Sequence, residues 1–171
     1  MIHHVSMSSS ANEISDGIVE LLPRLRRFAR SLSRNQHDAD DLVQSAVERA
    51  WRNVDQLKPG SNLGSWMFGI MKNAWIDDRR AHKRRGEVAL PEDSGDHPAV
   101  TPGDADAALW SVSEAMAKLP EEQRLAVALV LVEGMSYKEA SGLLEIPIGT
   151  LTSRLARGRT ALAAVLGDEE K

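Results

Sequence analysis

The sequence predicts an all-α protein of two small helical domains joined by a flexible acidic linker, the C-terminal domain being a helix-turn-helix. Three observations carry this prediction. Apolar residues recur every three or four positions, and no run alternates at the strand period of two. Between Gly86 and Asp106 lie six acids and three prolines without one lysine or arginine, which splits the helical pattern in two. Near the C-terminus, Ser136 and Glu139 make the S-x-x-E signature of a helix start, and Pro147 opens another helix just after the turn "EIP". With 171 residues and 42% apolar content, the chain has room for one ordinary domain or two small ones.

The elements follow in order. Residues 1–13 lack an apolar stripe and read as a flexible tail. Ile14, Ile18, Leu21, Leu25, Ala29 and Leu32 mark the first helix, which Pro23 starts or bends. The second carries Asp38, Asp40 and Asp41 in its first turn, where carboxylates complement the helix dipole. Its apolar stripe is Leu42, Val43, Ala46, Val47, Ala50, Trp51 and Val54. After the loop "DQLKPGSN", Ser61 or Asn62 caps a third helix whose Leu63, Trp66, Met67, Ile70, Met71 and Ala74 share a face. Trp66 belongs to that core face, whereas Trp75 lies off its centre and suits either packing or stacking. Beyond the linker, Leu109, Val112, Met116 and Leu119 mark a fourth helix, and Pro120-Glu121-Glu122 opens a fifth that ends near Gly134. The capped short helix through Leu144 and the last helix to about Val165 complete the pattern.

Charge is distributed unevenly. The formal net charge is -4, but Glu87, Glu92, Asp93, Asp96, Asp104 and Asp106 of the linker more than account for it, so the rest of the chain is cationic. Two segments concentrate that charge: Lys72 to Arg85, and "GTLTSRLARGR" from Gly149 to Arg159, with no acid between Glu145 and Asp168. The absence of cysteine excludes disulfides and thiolate chemistry and fits a reducing cytoplasm. The N-terminal stretch has no apolar core for a secretory signal, and the longest apolar run, Leu125 to Val132, falls far short of a bilayer, so a soluble intracellular protein is expected. His3, His4, His37, His82 and His97 are scattered, and no glycine-rich phosphate loop is present, so neither catalytic residues nor cofactors are expected. His37 with Asp38, Asp40 and Asp41 could be read as a metal site, but no second ligand cluster accompanies them and clustered acids at a helix start ordinarily serve as caps.

At roughly 100° per residue, Leu151, Leu155, Gly158 and Leu162 fall on one narrow arc of the last helix. Thr150, Ser153, Arg154, Arg157 and Thr160 fall across the other side. That outward face suits a major groove: guanidinium forks for guanine edges or phosphates, hydroxyls for either, and no acid to repel the backbone. Residues 108–166 resemble the C-terminal DNA-binding region of the extracytoplasmic-function (ECF) sigma factors of RNA polymerase, whose Pro-x-Gly-Thr-x-x-Ser-Arg-x-x-Arg-x-Arg pattern is matched by Pro147, Gly149, Thr150, Ser153, Arg154, Arg157 and Arg159. The resemblance implies that residues 107–167 form sigma region 4, with Thr150, Thr152, Ser153, Arg154, Arg157 and Arg159 on the -35 promoter element. Thr152 stands where a lysine is common, and Glu145 fills a turn position where glycine is frequent and a left-handed backbone is expected.

The N-terminal half carries the same resemblance. "DADDLVQSAVERAWRN" is similar to the family helix that binds a coiled coil of core RNA polymerase, which implies contacts by Asp38, Asp40, Asp41, Leu42, Gln44, Glu48 and Arg49. "NLGSWMFGIMKNAWIDDRRAHKRR" is similar to the region that captures the -10 element as a single strand. There the resemblance implies a base pocket from Lys58, Ser61, Asn62, Asn73 and Asp77, with Arg80 and Arg84, alongside Arg79, Lys83 and Arg85, near phosphates. Residues 14–85 would then be sigma region 2 and 86–106 the linker. The likeness is greatest to the EcfG-like general-stress-response branch, which implies a small NepR-type anti-sigma partner released by a phosphorylated PhyR-type regulator. The implied function is a promoter-specificity subunit with no membrane and no small-molecule substrate. A stand-alone helix-turn-helix regulator would explain the C-terminal half but leave the acidic helix and the first basic segment without a purpose.

Overall fold

The computed structural model describes the backbone of residues 3–86 and 104–167, with side chains at 10–86 and 111–167. The greater part of the expected linker, 87–103, and the side chain of Leu109 therefore lie outside the described residues. Among the described residues, seven α-helices run in the order α1 (His3–Leu32), α2 (Gln36–Arg52), α3 (Leu63–Arg84), α4 (Asp104–Ala117), α5 (Glu121–Val127), α6 (Tyr137–Leu144) and α7 (Ile148–Gly167). A 3-10 turn, Val54–Gln56, follows α2, and α5 continues through a π-helical turn, Ala128–Val132. No strand occurs among the described residues.

The apolar periodicities place most of the core, with two corrections, at Trp51 of α2 and at Val112 of α4, which is 41% exposed. Ile18, Leu25, Phe28, Ala29 and Leu32 of α1 meet Ala39, Leu42, Val43 and Ala46 of α2 and Met67, Phe68 and Met71 of α3, all buried. Phe28 and Phe68 meet edge to face, with centroids 5.2 Å apart. Trp51, expected in the stripe of α2, is instead 42% exposed, because the stripe turns away from it at the helix end. Trp75, left open between packing and stacking, is buried. Pro23 lies inside α1 without ending it: it is exposed, so the carbonyl it leaves without a donor can reach water. Upstream of Ile14, α1 extends to His3 through a segment expected to be a tail, since adding turns to an established helix avoids the cost of nucleation.

The C-terminal helices are set by local chemistry. Ser136 Oγ accepts from Glu139 N while the Glu139 carboxylate accepts from Ser136 N, so the expected capping box starts α6. Glu145 ends it at φ 56°, ψ 42°, the left-handed position expected there. The paired bonds Glu145 N to Gly142 O and Ile146 N to Ser141 O close a Schellman turn into α7. Leu151, Leu155 and Gly158 bury the predicted arc of α7 against α5. A Cβ on Gly158 would stand 2.7 Å from Val127 Cγ2, so only glycine permits this approach.

The two domains are docked. Their buried residues join in one cluster, so in this arrangement they are not the separate interiors that the sequence suggests. Polar contacts seal the seam. The Glu133 carboxylate, fully buried, accepts from Arg24 Nε at 3.2 Å and from Arg27 Nε and Nη2 at 3.2 and 3.3 Å. Arg124, also buried, donates Nη1 to Leu32 O at the end of α1 and Nη2 to the Ala117 and Leu119 carbonyls, and its guanidinium lies over the Trp75 ring. Burial is the main cause lowering its pKa to about 10, aided by Arg79 and Arg34 and opposed by Glu121, so it stays charged at neutral pH.

Candidate nucleic-acid interface

The basic segment of α3 divides into two stripes. At 100° per residue, Asn73, Asp77, Arg80 and Arg84 share one stripe, and all four are exposed. Lys72 and Arg79 lie on the neighbouring stripe, where they serve the docked domain. Lys72 is buried and donates Nζ to Leu143 O of α6, while Arg79 Nε pairs with Glu121 Oε1 at 2.8 Å. The charge of the segment is thus divided: the stripe of Lys72 and Arg79, of which Arg79 is expected near phosphates, is committed to protein.

The candidate -10 residues are only partly gathered. Lys58, Ser61 and Asn62 are exposed in the loop before α3, and Asn62 Oδ1 caps that helix by accepting from Ser65 N, leaving its amide nitrogen outward. Asp77 accepts from Arg49 Nη1 at 2.8 Å. This contact ties a residue expected at the strand pocket to one expected on the polymerase face, so the two surfaces adjoin across α2 and α3.

On α2, Asn35 and Asp38 cap one another: Asp38 N donates to Asn35 Oδ1 and Asn35 Nδ2 to Asp38 Oδ2. Asp40 and Asp41 are exposed, with Asp41 3.5 Å from His37, and Gln44 bonds Glu48. Leu42 is buried and anchors the helix beneath this face. Among the described residues no three acidic or histidine side chains converge on a metal position. A groove beside this face has Arg26 and Arg30 of α1 on one wall and Asp40, Gln44 and Glu48 of α2 on the other, floored by Leu22, Val43 and Val47.

On α7, Thr152, Ser153, Arg157 and Arg159 are exposed and Thr150 is half-buried. Three of the groups on this side are engaged. Thr152 Oγ1 donates to Ile148 O and Thr160 Oγ1 to Ala156 O, so each threonine offers an acceptor and a methyl outward. Arg154 is 22% exposed, with Nη2 3.2 Å from Glu122 Oε2 on α5. In the sequence Glu122 marks only the opening of α5, since a contact thirty-two positions away leaves no periodic signal, and Arg124 and Glu133 carry none for the same reason.

These features define an all-α factor of two helical modules, each with an exposed cationic face on one helix. Two family models match the chain, Sigma-70 region 2 over residues 18–85 and Sigma-70 region 4 over residues 109–162. The ECF RNA polymerase sigma factor EcfG of Rhodopseudomonas palustris is 41% identical over 160 residues, spanning 91% of this chain and 86% of that one. SigE of Mycolicibacterium smegmatis, another ECF sigma factor, is 40% identical over 81% of this chain and 56% of its own length. Among solved structures, the sigma factor RpoE of Bartonella quintana, in complex with the anti-sigma factor NepR, has a TM-score of 0.77 at 33% identity, covering 91% of this chain and 97% of RpoE. The chain belongs to the ECF sigma factors of the sigma-70 family. It is a promoter-specificity subunit that directs core RNA polymerase to promoter DNA. No described helix is long and apolar enough to cross a membrane.

Proposed function

We propose that the domains divide the work as follows. Residues 14–85 act as the region 2 module: Asp38, Asp40, Asp41, Gln44, Glu48 and Arg49 meet the polymerase coiled coil, held from beneath by Leu42. Lys58, Ser61, Asn62, Asn73 and Asp77 receive an unstacked -10 base, while Arg80 and Arg84 hold the backbone. Residues 107–167 lay α7 in the major groove of the -35 element through Thr150, Thr152, Ser153, Arg154, Arg157 and Arg159. The chain performs no chemistry and binds no cofactor; the polymerase, in the cytoplasm, forms the bonds. One observation carries this reading: a capped helix-turn-helix holds Ser153 and Arg157 outward on a helix face without an acid.

Docking has a consequence for promoter binding. The -35 and -10 elements lie about 25 base pairs apart, roughly 80 Å of duplex, whereas Lys72 Nζ sits 3.0 Å from Leu143 O. The docked arrangement cannot span both elements. It is the free or inhibited state, and polymerase stabilises an open one. Because the resemblance to RpoE extends over nearly the whole chain, we place this protein in the general-stress branch, held closed by a small NepR-type anti-sigma protein that touches both domains.

Gel shifts with promoter duplex, run with and without core polymerase, test the reading. Selective binding is expected only with core present. The double change Asp40→Lys, Asp41→Lys lowers assembly with core by about tenfold or more through like-charge contact, with melting unchanged. Tight selective binding by the chain alone would instead establish a stand-alone regulator.

A further inference from the structure

The pair between Glu122 and Arg154 poses a problem of purpose. Glu122 is 70% exposed and Arg154 22%. An ion pair so open to water contributes little stability, about 0 to 1 kcal/mol. Yet it places a carboxylate in the groove between α5 and α7, beside Gln123, Thr150, Ser153 and Arg157, on the side the sigma reading assigns to DNA. A carboxylate there repels phosphates and lowers affinity for any duplex. Neither stability nor general affinity explains its position.

Geometry supplies a different role. A free arginine on a helix surface samples many rotamers, and each must be frozen before its planar fork can match a base edge or phosphate. In this structure one nitrogen, Nη2, is tied to Glu122 Oε2 at 3.2 Å, and the side chain is largely covered. The contact is an ion pair, and together with the cover on the side chain it confines the guanidinium before DNA arrives, with N–H donors left for the ligand. Held in one orientation, it discriminates among partners; released, it pairs with whatever phosphate is near.

We propose that Glu122 is a positioning residue for -35 recognition: its carboxylate fixes the Arg154 guanidinium so that Arg154 reads one element in one register. This rests on the assignment of α7 to the -35 element. Glu122 gives up general affinity for selectivity, so its removal moves the two in opposite directions.

The test uses the full chain assembled with core polymerase, on a promoter duplex and on duplexes carrying single changes in the -35 element. Glu122→Gln keeps the side-chain shape and removes the charge. Expected is a loss of discrimination of about twofold to fivefold, with equal or tighter binding to unrelated duplex and a steeper salt dependence. Glu122→Asp restores part of the discrimination. In an Arg154→Ala background, Glu122→Gln changes discrimination no further. Two results overturn the proposal and are distinguishable. If Arg154→Ala lowers discrimination but Glu122→Gln does not, or weakens all duplexes equally, the positioning role falls alone. If Arg154→Ala leaves discrimination intact, the reading by Arg154 falls and takes the positioning role with it. A role for Glu122 confined to the first turn of α5 would move the melting temperature and leave the discrimination ratio where it was.

Discussion

The basic helices of the two domains, α3 and α7, share a composition and differ in what their charge is for. On α7 one arc is apolar and buried in its own domain, and the opposite face keeps Ser153, Arg157 and Arg159 exposed. On α3 the polar surface is itself divided, with Lys72 and Arg79 spent on α6 and α5 and Arg80 and Arg84 left outward. The comparison teaches that cationic residues in a segment are not a measure of free cationic surface. On the proposed reading α7 serves its domain and one ligand, whereas α3 must serve its domain, a ligand and a second domain. It is α3 whose available charge changes when the docking seam opens.

The largest expected effect comes from breaking that seam at Arg124. Arg124→Ala leaves Leu32 O, Ala117 O and Leu119 O without their donor and uncovers Trp75. A cost of about 3 kcal/mol is expected for such a buried charged network, read as a lowered melting temperature. The radius of gyration from solution scattering should rise as the domains part. Glu133→Gln, which keeps volume but weakens the grip of Arg24 and Arg27, should open the seam less. If Arg124→Ala lowers melting without changing the dimensions, the residue holds only its own domain through the Ala117 and Leu119 carbonyls, and the contrast between α3 and α7 loses its basis.

What could be read beforehand follows the range of the interaction. The capping box, the left-handed turn at Glu145 and the buried arc of Leu151, Leu155 and Gly158 are set within a few residues, and each was legible. The seam was not. Arg24 and Glu133 stand 109 positions apart, and nothing in the periodicity of either helix distinguishes an arginine that meets solvent from one that meets a buried acid. Lys72 shows the same limit: it opens a run of cations and yet is buried. Arg154 falls between the cases. Its side of the helix was correct, but its partner Glu122 belongs to another element.

A smaller effect, of opposite sign, tests how far the C-terminal domain is optimised for itself. Glu145 is the single non-glycine residue with positive φ among those described. An L-residue in that conformation costs about 1 to 2 kcal/mol relative to glycine, offset in part by the greater freedom of glycine when unfolded. Glu145→Gly is therefore expected to raise stability by about 1 kcal/mol, seen as a higher melting temperature with unchanged -35 discrimination. Should discrimination change as well, the turn angle sets how α7 is presented, and the face of α7 is less independent of its frame than the comparison holds.

The smallest effect is a local one at acid pH, where the start of α6 can be loosened without touching α3 directly. The backbone N–H of Ser136, and next its hydroxyl, hold the Glu139 carboxyl below the usual glutamate range. A depressed folded value means that the unfolded chain binds its proton first as pH falls. The capping contribution is thus complete above the ordinary glutamate pKa of about 4.3 and is lost as pH descends through the lower folded value. Glu139→Gln keeps a capping partner that does not titrate. The protection factor at the first turn of α6, taken against the intrinsic exchange rate at each pH, should fall on acidification in the wild type and stay flat in the variant at that site. The other end of α6 carries Leu143 O, the acceptor for Lys72. Protection in α3 that falls together with α6 would mean the capping box and the seam form one cooperative unit; protection in α3 that outlasts it would show that docking is held chiefly by Arg124 and Glu133.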